Sequence, residues 1–144
     1  MMLAHSQGSL LNAAKLAAGL GISSPTITSY LGLLVGLLLL RRLPPYLPNV
    51  RKRLVKSPKT YVRDSGLLHA LLGIHSVDEL LGHPVAGMSW EGFVLENLLA
   101  AAPEHVRAAF YRTAAGAERL TWCWNWADAP ESGRSRLRRT WRPS

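Results

Sequence analysis

The chain has 144 residues, 48% of them apolar and 18% charged, with one cysteine and a formal net charge of +8. That length suits one domain or two very small ones, and the apolar share excludes global disorder. The lone Cys123 excludes a disulfide framework and a cysteine-based zinc cluster. It fits a reducing compartment and hence a cytoplasmic location, while the positive charge favours polyanionic partners without specifying a fold.

Residues 9 to 40 read as two helices around a tight turn. Asn12 caps the first, because its side chain accepts from free backbone amides, and Leu11, Ala14, Leu16, Ala18 and Leu20 give that helix an apolar face. Gly21 stops it by permitting positive φ. Ser23-Ser24-Pro25 restarts the helix, with a serine at the cap and proline where a missing N–H costs nothing. Ile27, Tyr30, Leu31 and Leu34 make the expected buried stripe, leaving Thr26, Thr28 and Ser29 outside. Helix, glycine turn and capped second helix is the helix-turn-helix pattern, in which the start of the second helix meets DNA base edges. An ordinary helical hairpin has the same signature. Ile27 to Leu40 is the most apolar stretch, but it is shorter than the roughly 18 to 20 residues of a spanning helix, so no membrane partner is expected.

Leu37 to Leu43 reads as a strand ended by Pro44-Pro45, and Lys59 to Asp64 as a second strand. Between them lie turn residues with Arg51, Lys52, Arg53 and Lys56, and Lys59 closes the basic run. Two strands joined by a basic loop after a helix-turn-helix make a winged-helix-like module, with the loop placed to follow phosphates. A solvated basic loop is the plainer reading.

Asp64-Ser65 caps a short helix containing His69, which has no partner at metal-ligand spacing and is expected to pack. Val77 to Leu81 is another short helix. Ser89 caps a longer one, with Trp90, Phe93, Val94 and Leu98 as its apolar side. Glu91 and Glu96 on that helix are five apart, about 140° round the axis at 3.6 residues per turn, and so do not pair by themselves. The residues around Phe110 read as a strand, followed by a turn at Ala114 to Glu118.

Three ordered stretches, LVKSPKTYVRDSGLLHALLGI, LLGHPVAGMSWEGFVLENLL and FYRTAAGAE, resemble the C-terminal half of bacterial and archaeal AAA-type ATPases whose last domain is domain-of-unknown-function family 4143. The resemblance runs from about residue 3 to Glu118. It implies a winged helix followed by a domain similar to PD-(D/E)XK nucleases, whose clustered carboxylates hold a divalent cation. Only the helical acid of that nuclease-like pattern has candidates here, Glu91 and Glu96. No phosphate-binding loop is present, so no ATP is expected on this chain.

The segment RLTWCWNW carries three of the five tryptophans, and the Arg-rich end carries six arginines against Asp128 and Glu131 over residues 119 to 144. Neither continues the family pattern. Read from the third base of each codon, Thr121 to Trp126 yields Leu/Val/Met-Val-Leu-Glu-Leu, close to the strand the resemblance calls for, so an out-of-frame, disordered tail is expected. A basic, aromatic tail that stacks on single-stranded nucleic acid is the alternative.

The fold class expected is therefore α+β and helix-rich: a winged-helix-like module at 1–64, a partial nuclease-like domain at 65–118 and a tail at 119–144. The function expected is that of an ATPase-associated fragment without catalytic residues, metal or cofactor. DNA is the expected partner, through Ser24, Thr26, Thr28, Ser29, Arg51, Lys52, Arg53, Lys56 and Lys59. A structural module that packs against an ATPase domain is the alternative.

Overall fold

A computed structural model describes residues 2–45, 57–103, 106–111 and 121–125. The elements in chain order are α1 (Met2–His5), α2 (Ala13–Leu20), α3 (Ser24–Gly36), β1 (Leu40–Leu43), β2 (Lys59–Val62), α4 (Ser65–Leu72), α5 (Val77–Gly82), α6 (Ala86–Ala101), β3 (Arg107–Tyr111) and β4 (Thr121–Asn125). The protein is α+β and helix-rich.

The caps do what their chemistry dictates. Asn12 accepts from the Lys15 amide and Ser23 from that of Thr26, at 2.9 and 3.3 Å. Asp64 accepts from the Leu67 amide at 2.6 Å. Gly21 sits in the left-handed region at φ 66°, which a side chain would strain, and lets the axis turn through 106° between α2 and α3. Leu16 and Ala17 of α2 then meet Ile27 and Leu31 of α3, with Leu40 of β1 closing the cluster.

The β1–β2 ladder is antiparallel, pairing Leu40 with Val62 and Leu43 with Lys59. Side chains alternate across a strand, so each face collects every second residue. Leu43 and Tyr61 go to one face, where they pack with Leu95 of α6 and Phe110 of β3. Leu40 goes to the other, against α2 and α3, and Val62 joins it there with Ala4 and Leu68. The outer edge of β2 is covered as well. Gly8 donates to the Thr60 carbonyl, the Thr60 amide to the Ser9 carbonyl and Leu11 to the Pro58 carbonyl. Gln7 completes this edge, its amide oxygen accepting from the Val62 amide at 2.8 Å and its nitrogen donating to the Val62 carbonyl at 3.3 Å.

Several expectations are corrected. The first strand begins at Leu40, not Leu37. Amides of Leu37, Leu38 and Leu39 bond back to Leu33, Val35 and Leu34 carbonyls, so α3 is capped by a turn that holds Leu38 at φ 60°. The hairpin is not an exposed wing, since both faces and the edge of β2 are covered, and residues 46–56, where the wing loop was expected, lie outside the described residues. Nor does a separate nuclease-like unit follow residue 64: α4 and α6 pack on the same hairpin as α1 to α3.

Helix α6 starts at Ala86, and Ser89 lies inside it rather than at its cap. Its inward residues are Ser89, Gly92 and Leu95, whereas Trp90 is 67% exposed and Phe93 46%. The reason is close approach: a Cβ on Gly92 would stand 2.8 Å from Gln7 Nε2 and 3.4 Å from the Tyr61 ring. The large side chains turn outward, and Trp90 and Phe93 stack on each other at 5.6 Å. Tyr30, expected in the buried stripe of α3, is 55% exposed.

The tail is corrected in part. Thr121–Asn125 is a strand, β4, that pairs antiparallel with β3, Arg107 opposite Asn125 and Tyr111 opposite Thr121. Residues rich in tryptophan and threonine suit a pleated ladder. Residues 126–144 lie outside the described residues.

Gly92→Ala is expected to destabilise the fold by about 1–3 kcal/mol, because Gln7 is tied at both ends of its amide and cannot yield. Gly32→Ala, on the open side of α3 with nothing within 4 Å of the new methyl, should stabilise by about 0.5–1 kcal/mol. Urea unfolding of both variants measures this, and equal effects would show that the α6 contact is not tight.

Candidate functional site

Two sets of residues were candidates from sequence: the helical acids Glu91 and Glu96, and the hydroxyl and basic residues expected to meet DNA. The structure uses the acids to hold the fold. Glu96 accepts from Arg41 of β1 through Nε and, at 2.8 Å, through Nη2. It also accepts from Arg63 Nε, just past β2, at 2.8 Å. Arg41 and Arg63 fall on the hairpin face toward α6 because they alternate with Arg42 and Val62. Glu91 accepts from the Tyr61 hydroxyl, whose ring is fully buried in the same face.

Burial would raise the Glu96 pKa, but hydrogen bonds and charge from Arg41 and Arg63 outweigh it and hold the carboxyl below its ordinary value of 4.5. The two acids thus anchor two places along α6, Glu91 to one donor residue and Glu96 to two. Among the described residues no group of three or more His, Cys, Asp or Glu side chains could hold a metal. His69 packs as expected for a histidine without ligand spacing, its Nε2 2.7 Å from the hydroxyl of buried Ser89.

The DNA candidates divide. Ser24, Thr28 and Ser29 are exposed on α3. The Thr28 hydroxyl donates to the Ser24 carbonyl at 2.9 Å, and that of half-buried Thr26 lies 2.7 Å from the Ser23 hydroxyl. Lys59 is only 4% exposed, with Nζ 5.8 Å from the Phe110 ring centre, so it is withdrawn from the reach of a phosphate backbone. Arg51, Lys52, Arg53 and Lys56 lie outside the described residues, as do the arginines of the tail.

Sequence reading missed two features. One is the Arg41–Glu96–Arg63 cluster, whose only signal was two arginines at inward strand positions. The other is the outer face of α3. This helix has no charged residue, and Tyr30, Leu33 and Leu37 on it are 55%, 60% and 58% exposed. Beside it opens an apolar groove of about 610 Å3, bounded by Leu20, Tyr30, Leu34, Leu39 and Leu67. No single helix among the described residues is long and apolar enough to cross a membrane.

Residues 1–78 match a family model described as a domain of unknown function, DUF8612. The chain belongs to the DUF8612 family. Two relatives, the uncharacterized proteins Rv2008c of Mycobacterium tuberculosis and Mb2031c of Mycobacterium bovis, are each 48% identical over 99 residues. That stretch is 69% of this chain but 22% of each relative. No solved structure matches.

These findings overturn the resemblance to AAA-type ATPases and to family 4143. The matching family is DUF8612, it covers the residues assigned to the winged-helix-like module, and the relatives carry no such description. The ATPase-associated, winged-helix and nuclease-like labels fall with it. So does the out-of-frame tail, which was inferred by comparison with that other family's strands.

Glu96→Gln is expected to cost about 1–3 kcal/mol at neutral pH, since it leaves two half-buried guanidinium groups facing a neutral amide. The folded pKa of Glu96 is depressed, so its contribution is complete above pH 4.5 and is lost as pH falls through the lower folded value. The stability gap between wild type and variant, followed by urea unfolding, should be level from neutral pH to about pH 5 and shrink in more acid solution. A gap independent of pH down to acid unfolding would show that the charge of Glu96 is irrelevant.

Proposed function

We propose that this chain is a docking module, which offers the uncharged face of α3 to another domain of a longer polypeptide. The observation that carries this reading is the exposure of Tyr30, Leu33 and Leu37 on a helix with no charged residue. Monomeric proteins seldom leave contiguous apolar surface in water, and such patches mark interaction sites. Gly32 and Gly36 lie beside those side chains with open space around them, so a partner helix could approach α3 closely. The small share of each relative's length that this chain matches supports a role within a larger protein. The reading needs no catalytic group, and it carries a cytoplasmic location with it, supported by the single cysteine.

Binding to DNA is the second reading. The net charge of +8 and the exposed hydroxyls of Ser24, Thr28 and Ser29 favour it. Contacts to phosphate from Arg51, Lys52 and Arg53 would make such affinity fall steeply with salt.

Two sets of variants decide between the readings. Under the docking reading, the chain binds an apolar dye such as anilinonaphthalene sulfonate and self-associates at high concentration in light scattering. Leu33→Lys with Leu37→Lys should abolish both without lowering the melting temperature. Under the DNA reading, a labelled duplex binds at low salt, and alanine at Arg51, Lys52 and Arg53 weakens binding at least about tenfold. Tight, salt-sensitive duplex binding together with a face that neither takes up dye nor associates would replace the docking reading by the DNA one.

A further inference from the structure

Glu96 holds two arginines, and one carboxylate cannot neutralise both. The clasp opens into a cleft of about 630 Å3, within the range of small-ligand pockets, bounded by Arg41, Arg63, Asn97, Leu99, Pro103 and Val106. The C-terminal end of α6 borders it at Ala100 and contributes about half a negative charge. Among the described residues, two guanidinium charges against one carboxylate and that partial charge leave the cleft positive. Its donors are not used up. Arg63 reaches Glu96 through Nε, and no acceptor among the described residues takes the hydrogens of its Nη1 or Nη2. Arg41 engages Glu96 through Nε and Nη2, and its Nη1 has no acceptor among the described residues. The carboxylate therefore does two things. It cancels part of the charge, and it locks both planar groups in place, so a ligand would not have to order them.

We propose that this cleft binds a small organic oxyanion, a phosphate monoester or a carboxylate carried on a compact apolar group. Its head bonds to the free edge of Arg63 and to Arg41 Nη1. A guanidinium edge matches two oxygens of either head group, and such charge-assisted, two-pronged bonds are the strong ones. The apolar group lies on the Leu99, Pro103 and Val106 side, which would otherwise stay wetted. This site is separate from the α3 face. It lies on the opposite face of the hairpin and does not depend on either reading of the overall function.

Isothermal titration calorimetry on the full chain in low-chloride buffer tests the proposal, with phenyl phosphate and benzoate as the two probes. At least one should bind saturably with a Kd of about 1 mM or tighter. If phenyl phosphate binds more tightly, the natural ligand is a phosphate, and if benzoate does, a carboxylate. Arg63→Gln removes the free edge and should weaken binding at least about tenfold. That variant also loosens the clasp, so Ala100→Glu provides the check. Ala100 is exposed on α6, bonds to nothing in the clasp and tolerates a good helix former, and the added charge at the rim should weaken binding comparably. Ala100→Lys should bind at least as well as wild type. The proposal is overturned if neither probe saturates by about 10 mM, or if Ala100→Glu folds like wild type and binds the tighter probe equally well.

Discussion

Everything in this fold depends on a ladder four residues long that has no free face. β1 and β2 pair over Leu40–Leu43 and Lys59–Val62, and a two-stranded ribbon of that length does not stand alone in water. It persists because alternation sends its side chains into two different layers. Leu40 belongs to the cluster built by α2 and α3, while Leu43 and Tyr61 belong to the cluster built by α6 and β3. The segment from Gln7 to Leu11 then occupies the outer edge of β2. A slip of one residue would exchange the faces and put Arg41 and Tyr61 against α2 and α3, where nothing could satisfy them.

The charged residues of the hairpin follow from that constraint. Strand positions that face α6 near its far end are too close to solvent to be purely apolar and too enclosed to leave a charge alone. Arg41 and Arg63, with side chains 26% and 27% exposed, resolve this by sharing Glu96, which is 16% exposed. Partial hydration lowers the desolvation cost that makes fully buried pairs poor stabilisers, and the two-pronged contact of Arg41 fixes the azimuth of α6. Tyr61 with Glu91 does the same nearer the start of the helix. Arg42, on the opposite face, is the exception. Its Nε and Nη2 are buried with no hydrogen-bond partner among the described residues, and nothing in the structure explains it.

How far the sequence could be read depended on how local the decisive interaction was. The starts of α2, α3 and α4 were legible because Asn12, Ser23 and Asp64 each bond an amide three residues on. The orientation of α6 was not. Trp90 and Phe93 are its largest apolar residues, yet the inward positions are taken by Ser89 and Gly92, because contact with Gln7 and Tyr61 is too close for a bulky side chain. The partners of Glu96 are 55 and 33 residues away, so no spacing rule relates them. Glu91 and Glu96 looked like remnants of a metal site because carboxylates on a helix serve equally as ligands and as anchors, and only the opposing strand distinguishes the two. Lys59 looked like part of a basic loop, whereas its place opposite Leu43 turns it toward Phe110.

The same alternation separates the two surfaces on which function can rest. Arg41 of β1 and Arg63, just past β2, are drawn inward to Glu96, and Lys59 is drawn to an aromatic ring, so these three cations of the segment from Arg41 to Arg63 serve packing. What α3 presents to the other side is uncharged from Ser24 to Gly36. Along the chain, the only charge between Ala13 and Leu40 is Lys15. An uncharged face of small and leucine side chains has the composition of a helix–helix contact. Among the described residues, then, α3 offers apolar rather than basic surface, and that contrast is what the docking reading rests on.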